Sequence, residues 1–175
     1  MVTPYLPYPP SSGGQIRSFN LIKHLSKNHQ ITLFSLIKNR SEEKYISKFK
    51  NYCTKVRVFK RSTKPFTFSN ILRTGFGAFP FLVIRNFSFE AREAIKKELN
   101  SEKYDIIHAE TFYVMPHLPE TKIPILLVDQ TIEFQVYQHY MKKSKNFLLK
   151  PFLYLDVLKI KYWETKFWKK ADMVI

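Results

Sequence analysis

The run Pro9-Pro10-Ser11-Ser12-Gly13-Gly14 joins a strand-like Met1-Val2-Thr3 to a helical pattern that starts at Gln15. Glycines at such a joint leave the first N–H groups of the helix without covering side chains, and those amides carry the positive end of the helix dipole. An anion suits them, typically a phosphate. Arg17, one turn further in, can add a two-pronged contact to the same phosphate. Two further stretches place polar side chains at the ends of apolar runs. His108 and Glu110 close Tyr104 to Glu110, and Asp129, Gln130, Thr131 and Glu133 follow Ile123 to Val128. A histidine titrates near pH 6.5, so His108 can exchange a proton with a hydroxyl close to neutrality. Each residue also has a plain structural reading: a flexible capping turn, a solvated arginine, a core histidine, or a helix capped by Thr131 with Glu133 favoured by the dipole.

The surrounding elements alternate. Gln15 to Lys27 reads as a helix with Ile16, Phe19, Ile22 and Leu25 on a broad apolar face, and His29 to Ile37 as a strand. Ser41 is placed to cap a helix that buries Tyr45, Ile46, Phe49, Tyr52 and Cys53. Lys55 to Phe59 reads as a short strand, Phe66 to Phe87 as two apolar segments around Gly75, Gly77 and Pro80, and Ser88 as the cap of a helix. Tyr104 to Ala109 is a strand, Phe112 to Leu118 a short helix, and Ile123 to Val128 a strand. Ile132 to Tyr140 is a helix, Lys142 to Lys150 a basic loop, Pro151 to Lys169 a long helix, and Ala171 to Ile175 the start of a further strand. Unbroken apolar strands alternating with helices predict an α/β fold: a doubly wound parallel sheet with helices on both faces. Ligands of such sheets bind beyond the carboxyl ends of the strands. That rule selects the loops 4–14, 108–111 and 129–133.

Composition sets the outer bounds. The 175 residues are 45% hydrophobic and 16% aromatic, enough for one domain with a sizeable core and against a disordered chain. Lys and Arg outnumber Asp and Glu by 29 to 14, which favours anionic partners. The lone Cys53 cannot form an intramolecular disulfide, and with no signal-peptide pattern this predicts a cytoplasmic location. No zinc spacing surrounds Cys53, and no nucleophile elbow, P-loop lysine or third dinucleotide glycine is present, so no metal is expected. No apolar run reaches the length of a membrane span. The short first strand and the interrupted last one suggest a piece of a longer protein.

Five stretches together resemble glycosyltransferase family 4, of the two-domain GT-B architecture. They are Pro9-Pro10-Ser11-Ser12-Gly13-Gly14 with Arg17, Tyr104-Asp105-Ile106-Ile107-His108-Ala109-Glu110, Met115-Pro116-His117-Leu118-Pro119, Ile132-Glu133-Phe134, and Glu164 with Phe167-Trp168-Lys169-Lys170-Ala171-Asp172. The resemblance covers the family's N-terminal half. It implies that residues 1–175 form a Rossmann-like acceptor-side domain, with a nucleotide-sugar-binding domain following. The activity implied is retaining hexosyl transfer from a nucleotide-sugar donor to a glycan or lipid-linked acceptor, in cell-envelope polysaccharide synthesis. No carboxylate-bound metal and no cofactor are implied, the sugar nucleotide being a substrate, and this half alone would be inactive. Gly13, Gly14 and Arg17 would lie at the donor diphosphate, and His108 beside the transferred sugar. Glu110 stands where many relatives carry a second histidine, and Asp129-Gln130-Thr131 where relatives often place Glu-His-Asn. Thr131 and Glu133, like Glu110, would contact acceptor or sugar. The reading requires the glycine bend to lie near residue 108 with its amides uncovered.

The basic charge gathers with aromatics in Lys55 to Lys64 and Lys142 to Lys170. The second segment can lie on an acidic membrane surface, or pack as a core helix with a solvated lysine face. No nucleic-acid reading motif accompanies it, and no nucleic-acid partner is expected. The rival functions are a non-catalytic phosphate- or nucleotide-binding module and a basic membrane-surface adaptor.

Overall fold

The computed structural model describes every residue of the chain except 63 and 65. Its strands are β1 (Val2–Thr3), β2 (Thr32–Ile37), β3 (Lys55–Lys60), β4 (Ile107–Glu110), β5 (Ile125–Val128) and β6 (Met173–Val174). They form one sheet in the order β3-β2-β1-β4-β5-β6, with every neighbouring pair parallel. The helices are α1 (Gly13–Leu25), α2 (Phe68–Phe76), α3 (Phe81–Asn86), α4 (Phe89–Ser101), α5 (Glu133–Lys143) and α6 (Lys150–Lys170). Two 3-10 helices cover Arg40–Phe49 and Phe112–His117. This is the doubly wound, Rossmann-like α/β architecture, with winding that reverses between β1 and β4.

Strand alternation divides the core in two. One face of the sheet offers Val2, Phe34, Ile107, Ala109, Ile125 and Leu127 to α3, α4, α6 and the second 3-10 helix. The other offers Leu33 and Ile37 to Ile22 of α1 and to Phe49 and Cys53. Because β4 alternates too, Ile107 and Ala109 belong to the first core, while His108 and Glu110 turn to the face that carries α1.

Several boundaries differ from the sequence reading for local reasons. α1 begins at Gly13, because the Ser12 hydroxyl accepts from the Gln15 amide and closes the cap two residues early. Asn39, not Ser41, precedes the 40–49 helix. There the Glu42 carboxylate accepts from the Asn39 amide at 2.9 Å. That helix is 3-10, and it stops at Phe49, ahead of Tyr52 and Cys53. Thr131 does not cap α5. The amides of Glu133 and Phe134 instead donate to the Glu164 carboxylate from α6, at 2.7 and 3.0 Å. The basic loop after α5 is also shorter than Lys142 to Lys150, since α5 runs to Lys143 and α6 starts at Lys150. No helix among the described residues is long and apolar enough to cross a membrane.

Candidate functional site

The site is built where the winding reverses. β1 and β4 are adjacent, with Val2 beside Ala109. The loop after β1 therefore opens next to the end of β4, and α1 starts there. Gln15 fixes that loop. Its Oε1 accepts from the hydroxyls of Ser11 and Ser12 at 2.7 and 3.1 Å, while its Nε2 donates to the Leu6 carbonyl at 3.1 Å. The helix thus begins at a set distance from the sheet edge.

Glu110 is the hub. It is completely buried. Its Oε1 accepts from Arg17 Nη1 and His108 Nε2, each at 2.9 Å. Its Oε2 accepts from the same Arg17 nitrogen at 2.9 Å and from Gln130 Nε2 at 3.0 Å. Burial alone would push this carboxyl up. The His108 hydrogen bond and the His108 and Arg17 charges outweigh it and hold Glu110 below the usual carboxylate range. An ionised Glu110 requires the proton on Nε2 of His108, which leaves Nδ1 of a neutral ring as an acceptor. Three elements thus meet on one carboxylate: α1 through Arg17, the end of β4 through His108, and the loop after β5 through Gln130.

The two glycines play different parts. A Cβ on Gly13 would meet no atom within 4 Å and the residue is exposed, so no side chain covers the first residue of α1. Gly14 is covered: a Cβ there would fall 2.2 Å from the Tyr5 hydroxyl oxygen and 3.7 Å from Gln130 Oε1. Glycine is needed at 14 for close packing against the protein itself. Burial and the nearby Glu110 charge push the Tyr5 phenol up, so it stays protonated at the crevice. Arg17 is tied to Glu110, and its side chain remains 36% exposed.

Immediately after the hub, Thr111 adopts φ 76°, ψ 150°, a left-handed-side conformation that a β-branched residue rarely takes. Its amide donates to the Val128 carbonyl at 2.7 Å, which locks the ends of β4 and β5 together.

The loop after β5 carries a second cluster. Asp129 Oδ2 accepts from the Trp168 indole N–H at 2.7 Å, and Glu164, fully buried, holds the α5 amides. Burial pushes the Glu164 carboxyl up to about 7, and the neighbouring Asp129 and Glu133 charges add to that rise. Burial also raises Asp129 and Glu133. Thr131 is exposed between the two clusters, and Glu133 heads α5 beside the second.

The structure thus joins Arg17, His108 and Glu110 directly and brings Gly14 beside Gln130, which also holds Glu110; Gly13 stands exposed at the start of α1, and Thr131 and Glu133 follow Gln130 in the chain. Gln130 was named among the polar residues that follow β5, whereas Tyr5, Gln15 and Thr111 were not singled out. Tyr5 and Thr111 lie in loops that the strand-end rule selects for ligands, and Gln15 does not. Among the described residues no group of three or more His, Cys, Asp or Glu side chains could hold a metal ion. Comparisons with protein-family models, curated proteins and solved structures find no match.

Proposed function

We propose that this chain is the acceptor-side half of a GT-B-type transferase that moves a sugar from a nucleotide-sugar donor to a glycan or lipid-linked acceptor. One observation carries the reading. An exposed glycine at the start of α1 and an ionised, histidine-bearing carboxylate at the end of β4 lie where the winding of a parallel sheet reverses.

The chemistry divides accordingly. The Gly13 amide and the α1 dipole suit a phosphate oxygen and would stabilise charge developing on a leaving diphosphate. Glu110 cancels the Arg17 charge, so attraction for an anion comes from backbone more than from the guanidinium. Glu110 accepts hydrogen bonds, while His108 both donates and accepts. That pairing suits sugar hydroxyls, and His108 is the candidate to exchange a proton with one. Thr131 and Glu133 line the side from which an acceptor would approach.

The reading is tested by titrating the 15N-labelled chain with UDP, UDP-glucose and inorganic pyrophosphate. Saturable shifts of the Gly13 and Gly14 amides, together with the His108 ring, are expected. Shifts confined to surface lysines, or none at the crevice, overturn it. Binding of pyrophosphate without any preference for a sugar nucleotide would favour the non-catalytic phosphate module instead. In the product of the complete reading frame, His108→Ala is expected to lower transfer at least 100-fold.

A further inference from the structure

Helix α2 is inside out. Asn70 is buried and Thr74 half-buried, so its polar stripe faces the protein. Asn70 Nδ2 donates to the Ser62 hydroxyl at 3.1 Å, and the Thr74 hydroxyl donates to the Asn70 carbonyl at 2.8 Å. The opposite stripe, Phe68, Leu72 and Phe76 at four-residue spacing, faces out, with Phe68 77% and Phe76 91% exposed. An amphipathic helix normally turns this stripe to the core.

A second element presents the same character beside it. α6 is clamped to the end of α2: Lys159 Nζ donates to the Thr74 and Gly77 carbonyls, and Trp163 Nε1 donates to the Ala78 carbonyl at 2.9 Å. From Asp156 onward one side of α6 packs into the fold: Asp156 accepts from the Phe81 amide, and Val157 and Ile160 are buried. Its first turn and a half does not. Phe152 and Leu155, on the same flank as Lys159, are exposed, as is Phe147 in the preceding loop.

Charge decides what this face fits. Residues 44–89 contain ten Lys and Arg and no Asp or Glu. Residues 134–170 contain nine lysines and only two acids, Asp156 and Glu164, and both are buried. Within α2, the 144–149 loop and α6 the exposed charged side chains are all basic. The apolar side chains protrude, whereas a hydrophobic slot for a folded partner would recess them. A deformable partner that is anionic outside and apolar within satisfies both features.

We propose that α2, the 144–149 loop and the first turn and a half of α6 form a docking face for an anionic lipid bilayer. Phe68, Phe76, Phe147 and Phe152 enter the acyl boundary, and Lys142, Lys143, Lys145 and Lys150 meet the headgroups. The proposal concerns a face other than the strand-end crevice and does not depend on sugar transfer.

The test is sedimentation of the full chain with vesicles of 7:3 phosphatidylcholine and phosphatidylglycerol, and with pure phosphatidylcholine, in proportions of about that order. Binding to the anionic vesicles is expected to be at least tenfold tighter than to the neutral ones. Phe68→Ser with Phe76→Ser should weaken it about tenfold, and Lys142→Glu with Lys143→Glu and Lys145→Glu at least as much. Circular dichroism verifies that both variants fold, as expected for exposed positions. Absence of wild-type binding to anionic vesicles overturns the proposal. So does full binding by the serine variant, or binding to duplex DNA that matches vesicle binding and ignores the phenylalanines.

Discussion

Glu110 and Glu164 are both fully buried glutamates near the carboxyl edge of the sheet, yet they sit in opposite electrostatic settings. Glu110 faces a guanidinium and an imidazole and stays ionised. Glu164 faces two backbone amides and neighbouring carboxylates, and holds its proton up to about pH 7. Burial is common to both. What differs is what faces them: a hydrogen-bonding imidazole and a guanidinium lower Glu110, whereas at Glu164 burial prevails and neighbouring carboxylates add to the rise. The first setting suits a reactive crevice, and the second a structural joint between α5 and α6.

The largest expected effect is at that joint. Glu164→Ala leaves the Glu133 and Phe134 amides without their acceptor and should cost about 2–4 kcal/mol, read as a drop in the thermal midpoint. Glu164→Gln keeps an acceptor oxygen and should cost roughly 1 kcal/mol or less at pH 8. Equal losses in the two variants would remove the capping role.

Glu110→Ala comes next. It strands Arg17 and His108 without their shared partner, but Arg17 can turn to water, so about 1–3 kcal/mol is expected by denaturant unfolding. The same change should abolish the sugar-nucleotide shifts at His108, which Glu164→Gln should leave in place.

The pH dependence sharpens the contrast. Between the usual 4.5 and about 7 the folded chain keeps the Glu164 proton that the unfolded chain has lost, so stability falls as pH rises through that window. Glu110 works in reverse: its folded carboxyl ionises below 4.5, so its contribution is present above that pH and is lost as pH falls further. Unfolding measured across pH 3 to 8, on the order of this span, should flatten on the upper side in Glu164→Gln and on the acid side in Glu110→Gln. Loss of the wrong limb in either variant would break the assignment.

The smallest effect is at Gly14. Gly14→Ala pushes against the far end of the Tyr5 ring, which can swing, so about 1 kcal/mol is expected. In a Tyr5→Phe background the cost should shrink, because the atom nearest the new methyl is gone. An unchanged cost would show that the backbone, not Tyr5, demands the glycine.

Much of this was legible in the chain. The alternation of apolar runs with helical patterns places all six strands, and the rule that ligands gather at strand ends selects the loops that supply His108 and Gln130 to Glu110, though not Arg17, which comes from α1. Strand periodicity also sends His108 and Glu110 to one side, as they lie. The hub itself was not legible, because nothing local pairs Arg17 with a carboxylate 93 residues away; strand order alone does that. The capping of α5 was missed for the same reason, since Thr131 is the nearest suitable oxygen in sequence and Glu164 the nearest in space. α2 resisted reading because periodicity reports that a helix has an apolar side, not which way that side looks.

Thr111 has a use beyond marking the end of β4. A threonine held at φ 76° would relax if released, and the bond from its amide to Val128 opposes the release. The backbone that follows Glu110 is therefore kept in a costly conformation by the pairing of the two strand ends. Thr111→Gly would stabilise the chain while loosening its grip on whatever enters the crevice, so that firmness there is bought with stability elsewhere.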